Sequence, residues 1–181
     1  DTKNLKAIIK LLVQIVAVSI VVFSGLTFNQ IGNWKIPTVI NYIFTFCWII
    51  GVINAFNLID GLDGLCGSLS FTTIITLGLI YAFAGNTVAA ICFILAASIF
   101  GFLCFNWPPA KLFMGDCGSQ FLGFMIAIIP LFPSNNVFEF NKFLIIVTLA
   151  AFPIFDTIAA IWRRIRDKRP IMSPDKAHLH H

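Results

Sequence analysis

Six continuous apolar runs dominate this chain, at roughly 7–26, 37–54, 67–83, 88–105, 118–132 and 143–162. A helix that crosses a bilayer needs about 20 mostly apolar residues, with a range of about 17–25. Every run reaches or approaches that length, the fifth being the shortest. The runs are continuously apolar rather than alternating, which favours helices over a barrel, because a helix satisfies its own backbone groups in lipid. With 59% hydrophobic residues, 11% charged and 20 phenylalanines among 181 positions, the chain has too few polar side chains to cover a globular surface. An ordinary soluble domain and a disordered tail are both excluded. No internal repeat or low-complexity linker divides the runs, so residues 1–181 are expected to form a single all-α integral membrane domain, a polytopic transmembrane helix bundle of about six spans.

Six spans place both termini on one side. Ten of the 12 basic residues then fall on that side (Lys3, Lys6, Lys10, Lys111, Arg163, Arg164, Arg166, Lys168, Arg169 and Lys176), against Lys35 and Lys142 on the other. The positive-inside rule makes the first side cytoplasmic. Asp1, Asp60, Asp63, Asp116, Asp167 and Asp175 share it, Glu139 lies outside, and Asp156 sits within the sixth run. The outer connections look chemically bland, so function is expected at the cytoplasmic face. The five cysteines form no CxxC pair, which argues against a disulfide framework or a zinc site.

Three segments carry the chemistry. In the first, Asn54, Asn57, Asp60 and Asp63 recur every three residues, with Gly61 and Gly64 between and after the carboxylates. Neighbours three apart share one side of a helical turn, and carboxylates and amide carbonyls are the hard oxygen ligands that Mg²⁺ takes alongside phosphates. An ordinary Asn/Asp/Gly turn uses the same residue types. In the second, Asn106, Lys111 and Asp116 precede the fifth run, leaving the amides of Gly118 and Ser119 as expected free donors at a helix start, where an anion is favoured; Asp116 is equally readable as a helix cap. In the third, Asp156 is an ionisable group inside a span, a functional candidate by cost alone. Arg163 and its neighbours suit anionic headgroups, and His178, His180 and His181 end the chain. Leu179 interrupts what would otherwise read as a histidine tag. Each segment has a bland explanation; all three on one membrane face point instead to phosphoryl transfer between a water-soluble phosphorylated substrate and a lipid. A transporter centred on Asp156 would require broken or ionisable helices near the midplane, and a scaffold would tolerate loss of the loop carboxylates.

The string 54–65 (NAFNLIDGLDGL), the string 113–119 (FMGDCGS) and the ending SPDKAHLHH resemble the polyprenyl-phosphate N-acetylhexosamine-1-phosphate transferases (glycosyltransferase 4 family), with the ending most similar to the undecaprenyl-phosphate GlcNAc-1-phosphate branch. That resemblance implies a Mg²⁺-dependent enzyme, with Mn²⁺ as a substitute, in the bacterial plasma membrane. Undecaprenyl phosphate would attack UDP-GlcNAc, releasing UMP and leaving a lipid-diphosphate-sugar for cell-wall or surface polysaccharide synthesis; another UDP-sugar, such as UDP-MurNAc-pentapeptide, is the alternative donor. The resemblance makes Asp116 the principal metal ligand with Asn57 near it. It gives Asp60 and Asp63 to the nucleotide diphosphate or the metal, and Asn106, His178, His180 and His181 to substrate binding; Asn54, Lys111 and Arg163 are further substrate-binding candidates from their residue types and positions. Asp1 matches the second member of an Asp-Asp pair that handles the acceptor phosphate, which implies a piece of a longer chain with further spans on both sides. The bilayer and the two substrates are the expected partners, with room for a homodimer and no nucleic acid.

Overall fold

A computed structural model describes residues 7–31, 34–133, 151 and 155. Its elements are α1 (Ala7–Phe23), β1 (Gln30–Ile31), β2 (Trp34–Lys35), α2 (Thr38–Ile59), α3 (Leu65–Phe83), α4 (Val88–Asn106) and α5 (Gly115–Ile128), with a 3-10 turn over Ile129–Leu131. Helices α2, α3 and α4 are long and apolar enough to cross a membrane, whereas Ala7–Phe23 and Gly115–Leu131 are shorter apolar helices. The sixth expected run lies outside the described residues.

The helix bounds shift where local composition misleads. The second run is expected to end at Asn54, yet α2 continues to Ile59. Ala55, Phe56 and Ile59 extend the face of Ile49, Val52 and Ile53, and all six side chains are essentially buried. That burial outweighs the turn-forming tendency of the Asn and Asp residues between them. Helix α5 likewise starts at Gly115, three residues before the expected position. The connection 27–36, for which the sequence predicts no strand, holds a two-stranded antiparallel hairpin that pairs Gln30 with Lys35 and Ile31 with Trp34.

Packing pairs α3 with α4 and α2 with α5, while α1 leans on α2. The α2–α5 contact depends on Gly123: a Cβ there would lie 2.9 Å from Ile53 Cα and 3.1 Å from Val52 O. Small residues permit such close approach, which membrane helices rely on because lipid supplies no hydrophobic drive between them. The lower end of α5 is tied by hydrogen bonds as well. The fully buried Tyr81 donates its hydroxyl to Ile129 O (2.9 Å), and Trp48 Nε1 donates to Ala127 O (3.4 Å). These contacts fix α5 against α2 and α3, so the first turn of α5 arrives beside the last turn of α2.

Candidate active site

The site forms where α2 ends, α5 begins and α1 passes. Asn54 and Asn57 lie one turn apart inside α2, Asp60 follows its last residue, and Asp63 stands exposed in the turn to α3. Gly64 closes that turn with φ +75°, a left-handed conformation that glycine adopts without a steric penalty. Its N–H donates to Asn106 Oδ1 (2.9 Å), and Asn106 Nδ2 donates to Leu112 O (2.7 Å). Asp63 Oδ2 accepts from the Ala110 N–H (2.9 Å). The two connections, 60–64 and 107–114, are thereby joined through Asn106 and Asp63. Asn106 is buried, with both ends of its amide engaged within the chain.

Asp116 lies in the first turn of α5, where a carboxylate is favoured by the positive end of the helix dipole. Because α5 begins at Gly115, the first-turn amides that lack an acceptor inside the helix belong to residues 115–117 rather than to the expected Gly118 and Ser119, and the Gly115 N–H is engaged by Asp60. Ser119 instead bonds inward: its fully buried hydroxyl donates to Asn57 Oδ1 (2.9 Å), linking α5 to α2. Asp60 and Asp116 stand near enough to repel. Burial, and after it the Asp116 charge, raise the Asp60 carboxyl from an ordinary 3.8 to about 6, although the Gly115 N–H works in the opposite direction. Two carboxylates held together in this way favour either a shared proton or a cation.

The described residues include one cation at this point, and it is Lys10 of α1, whose ammonium pairs with Asp116. Lys111, the lysine expected near Asp116, is exposed; its backbone N–H donates to Phe105 O (2.8 Å). The Lys10 and Asp116 side chains are 25% and 37% exposed, so solvent screens the pair and it adds little to stability. A pair this weakly held can be exchanged for a ligand. Beneath it, Gln14 Nε2 donates to Gln120 Oε1 (2.9 Å) and Asn54 Nδ2 donates to Gln14 Oε1 (2.9 Å).

The structure therefore brings Asn57, Asp60 and Asp116 to one corner, with Asn54 one turn deeper and Asp63 and Asn106 bracing the rim. Asp1, Asp156, Arg163, His178, His180 and His181 lie outside the described residues. Lys10, Gln14 and Gln120 were not singled out as site residues from the sequence, and of Ser119 only the amide was, not the hydroxyl. A signal was present: Lys10/Gln14 and Asp116/Gln120 each stand four residues apart in apolar helices, where polar side chains turn to the bundle interior. Among the described residues no three His, Cys, Asp or Glu side chains gather as a metal cage. The oxygen donors are two carboxylates and the Asn57 carbonyl. Mg²⁺ is commonly held by one or two carboxylates, its remaining positions going to water and phosphate, so this donor set fits it.

A sequence profile described as glycosyl transferase family 4 matches residues 1–134. The chain is 37% identical over its whole length to a Bacillus subtilis protein named "Probable undecaprenyl-phosphate N-acetylglucosaminyl 1-phosphate transferase", of which it covers 52%. It is 34% identical over its whole length to a Mycolicibacterium smegmatis decaprenyl-phosphate N-acetylglucosaminephosphotransferase, covering 51% of that protein. Over 92% of its length it is 33% identical to the undecaprenyl-phosphate alpha-N-acetylglucosaminyl 1-phosphate transferase of Escherichia coli K12, covering 48%. The chain spans about half the length of these curated relatives. A profile match over 134 of the 181 residues, on a helical membrane chain with its carboxylates at one corner, establishes that this chain belongs to glycosyl transferase family 4.

Proposed function

We propose that this chain is the catalytic part of a phosphoglycosyl transferase that moves GlcNAc-1-phosphate from UDP-GlcNAc to undecaprenyl phosphate. The acceptor phosphate oxygen attacks the sugar-linked phosphorus in line, the bond to UMP breaks, and UMP leaves. The observation that carries this reading is the juxtaposition of Asp60 and Asp116 beside Lys10 at the ends of α2 and α5. Names of the similar proteins support it: they specify a polyprenyl phosphate and N-acetylglucosamine phosphate transfer.

Asp60, Asp116 and Asn57 would hold Mg²⁺, which when bound neutralises diphosphate charge. Lys10 can exchange the Asp116 carboxylate for a phosphate oxygen, a move its flexible stem and partial exposure allow. The first-turn amides of α5 add further donors for an anion. Asn106 and Asp63 hold the rim loop in place while Asp63 faces solvent, where the nucleotide diphosphate must enter. Asp1, Arg163 and the three C-terminal histidines complete the substrate contacts in this reading. In this reading the chain sits in the bacterial plasma membrane with six spans and both termini cytoplasmic, an orientation that accords with the charge distribution along the sequence.

Full-length protein in membranes should transfer label from UDP-GlcNAc to undecaprenyl phosphate only when Mg²⁺ or Mn²⁺ is supplied. Transfer that survives chelation, or a fully active Asp116→Ala variant, would overturn the assignment. A panel of UDP-sugars separates GlcNAc from UDP-MurNAc-pentapeptide as donor, and trapping a phosphosugar-enzyme adduct would replace direct attack with a two-step route.

A further inference from the structure

Helices α1 and α5 meet through two side-chain rungs with the same spacing. Lys10 pairs with Asp116, and four residues further along both helices Gln14 bonds Gln120. Four residues, about 6 Å along the helix axis, separate the rungs. The lower rung reaches a third helix, because Asn54 of α2 donates to Gln14 Oε1. The orientation of the amides follows from one contact. Asn54 Nδ2 also donates to Ile50 O (2.8 Å), and a carbonyl can only accept. Gln14 must then turn its oxygen to Asn54 and its nitrogen to Gln120, which answers with oxygen. Gln14 is only 7% exposed. The other polar side chain in α1, Ser19, bonds its own helix at Ile15 O (2.7 Å). The rest of α1 is apolar, and apolar side chains in lipid give a helix little reason to prefer one height or rotation over its neighbours.

We propose that Gln14 is a positioning residue: by joining α1 to α2 and α5 at once, it sets the height and rotation of α1 that hold the Lys10 ammonium at the Asp116 corner. This rests on the reading of Lys10 and Asp116 as phosphate-handling groups. The charge pair cannot do this alone, because a solvated ammonium on a four-carbon stem follows its partner without fixing the helix beneath it. When phosphate draws Lys10 away from Asp116, the amide rung is the α1–α5 link that remains among the described contacts. Gln14 touches no reacting group and acts through Lys10.

The test uses the full-length protein in membrane vesicles, with Gln14→Met, which keeps the length of the side chain and removes its hydrogen bonds. Amine acylation of Lys10, read by peptide mass spectrometry, should rise several-fold in Gln14→Met and stay unchanged in the control Val13→Ala, whose side chain faces outward. Gln120→Met removes the same rung from α5 while leaving Gln14 with Asn54, and should give a smaller rise. Label transfer should fall roughly tenfold in Gln14→Met, and that penalty should vanish in a Lys10→Ala background. Unchanged Lys10 acylation in both methionine variants overturns the proposal, as does an equal transfer penalty with and without Lys10. Increased acylation in a protein that transfers no sugar phosphate supports the positioning role and sinks the function instead.

Discussion

Polar side chains stand at both ends of α2, buried at the start and half-buried at the end, and they are used differently. At the start, Asn41 and Thr45 face the loop that follows α1. Asn41 Nδ2 donates to Thr27 Oγ1 (2.9 Å) and to Asn29 Oδ1 (3.2 Å), while its Oδ1 accepts the Asn29 N–H (3.1 Å). Thr45 Oγ1 accepts the Phe28 N–H (3.3 Å). All four side chains are neutral and bond one another, so the cluster fastens a loop and asks nothing of solvent. At the other end, Asn54 and Asn57 are similarly engaged, but Asp60 and Asp116 bring two carboxylates together, with Lys10 the lysine paired there among the described residues. Buried amides by themselves therefore mark architecture. Carboxylates gathered at a half-exposed corner mark a place for a ligand.

The largest test of this contrast is Asp116→Ala in the full-length protein. It should lower sugar-phosphate transfer by roughly 10²–10³-fold or more and leave thermal unfolding in detergent nearly unmoved, since the lost ion pair is partly solvated. Asn41→Ala should do the reverse. It strands buried donors and acceptors at a cost of about 1–3 kcal/mol, seen as a lower unfolding midpoint, with transfer per folded molecule unchanged. Gly123→Val tests the contact between the two ends. Overpacking against Ile53 Cα costs about 1–3 kcal/mol and should also impair transfer by pushing the first turn of α5 away from Asp60. If Asn41→Ala abolishes transfer in folded protein, the contrast fails.

Run length and apolarity are local properties, which is why the cores of α1 to α5 were legible from composition. The end of α2 was not, because Asn57 and Asp60 read locally as a turn while the burial of Phe56 and Ile59 is set by α5. The hairpin was missed because strands two residues long have no period to detect. Asn57, Asp60 and Asp116 were legible as candidates since metal-type oxygen ligands are scarce in an apolar chain. Their convergence was not, and neither was Lys10, whose partner lies 106 residues away. Asn106 and Asp63 show the same limit: their residue types suggested ligands, and the structure adds that they also staple two loops together.

The smallest expected effect is a pH dependence confined to the charged end. Asp60 titrates near 6 in the folded chain against an ordinary 3.8, so folding favours its protonated form. Its contribution to stability is thus fully present below pH 3.8 and declines as the pH rises towards 6, levelling off above. A divalent cation prefers the ionised carboxylate and must displace the proton below pH 6. Mn²⁺ titration followed by paramagnetic resonance should show an apparent affinity roughly tenfold weaker at pH 5 than on the plateau above pH 7. Asp60→Asn should bind more weakly and lose this inflection. Asn41→Ala should keep it, because the neutral cluster at the far end holds no proton to exchange. An inflection near pH 6 that persists in Asp60→Asn would assign the titrating group elsewhere and remove Asp60 from the cation site.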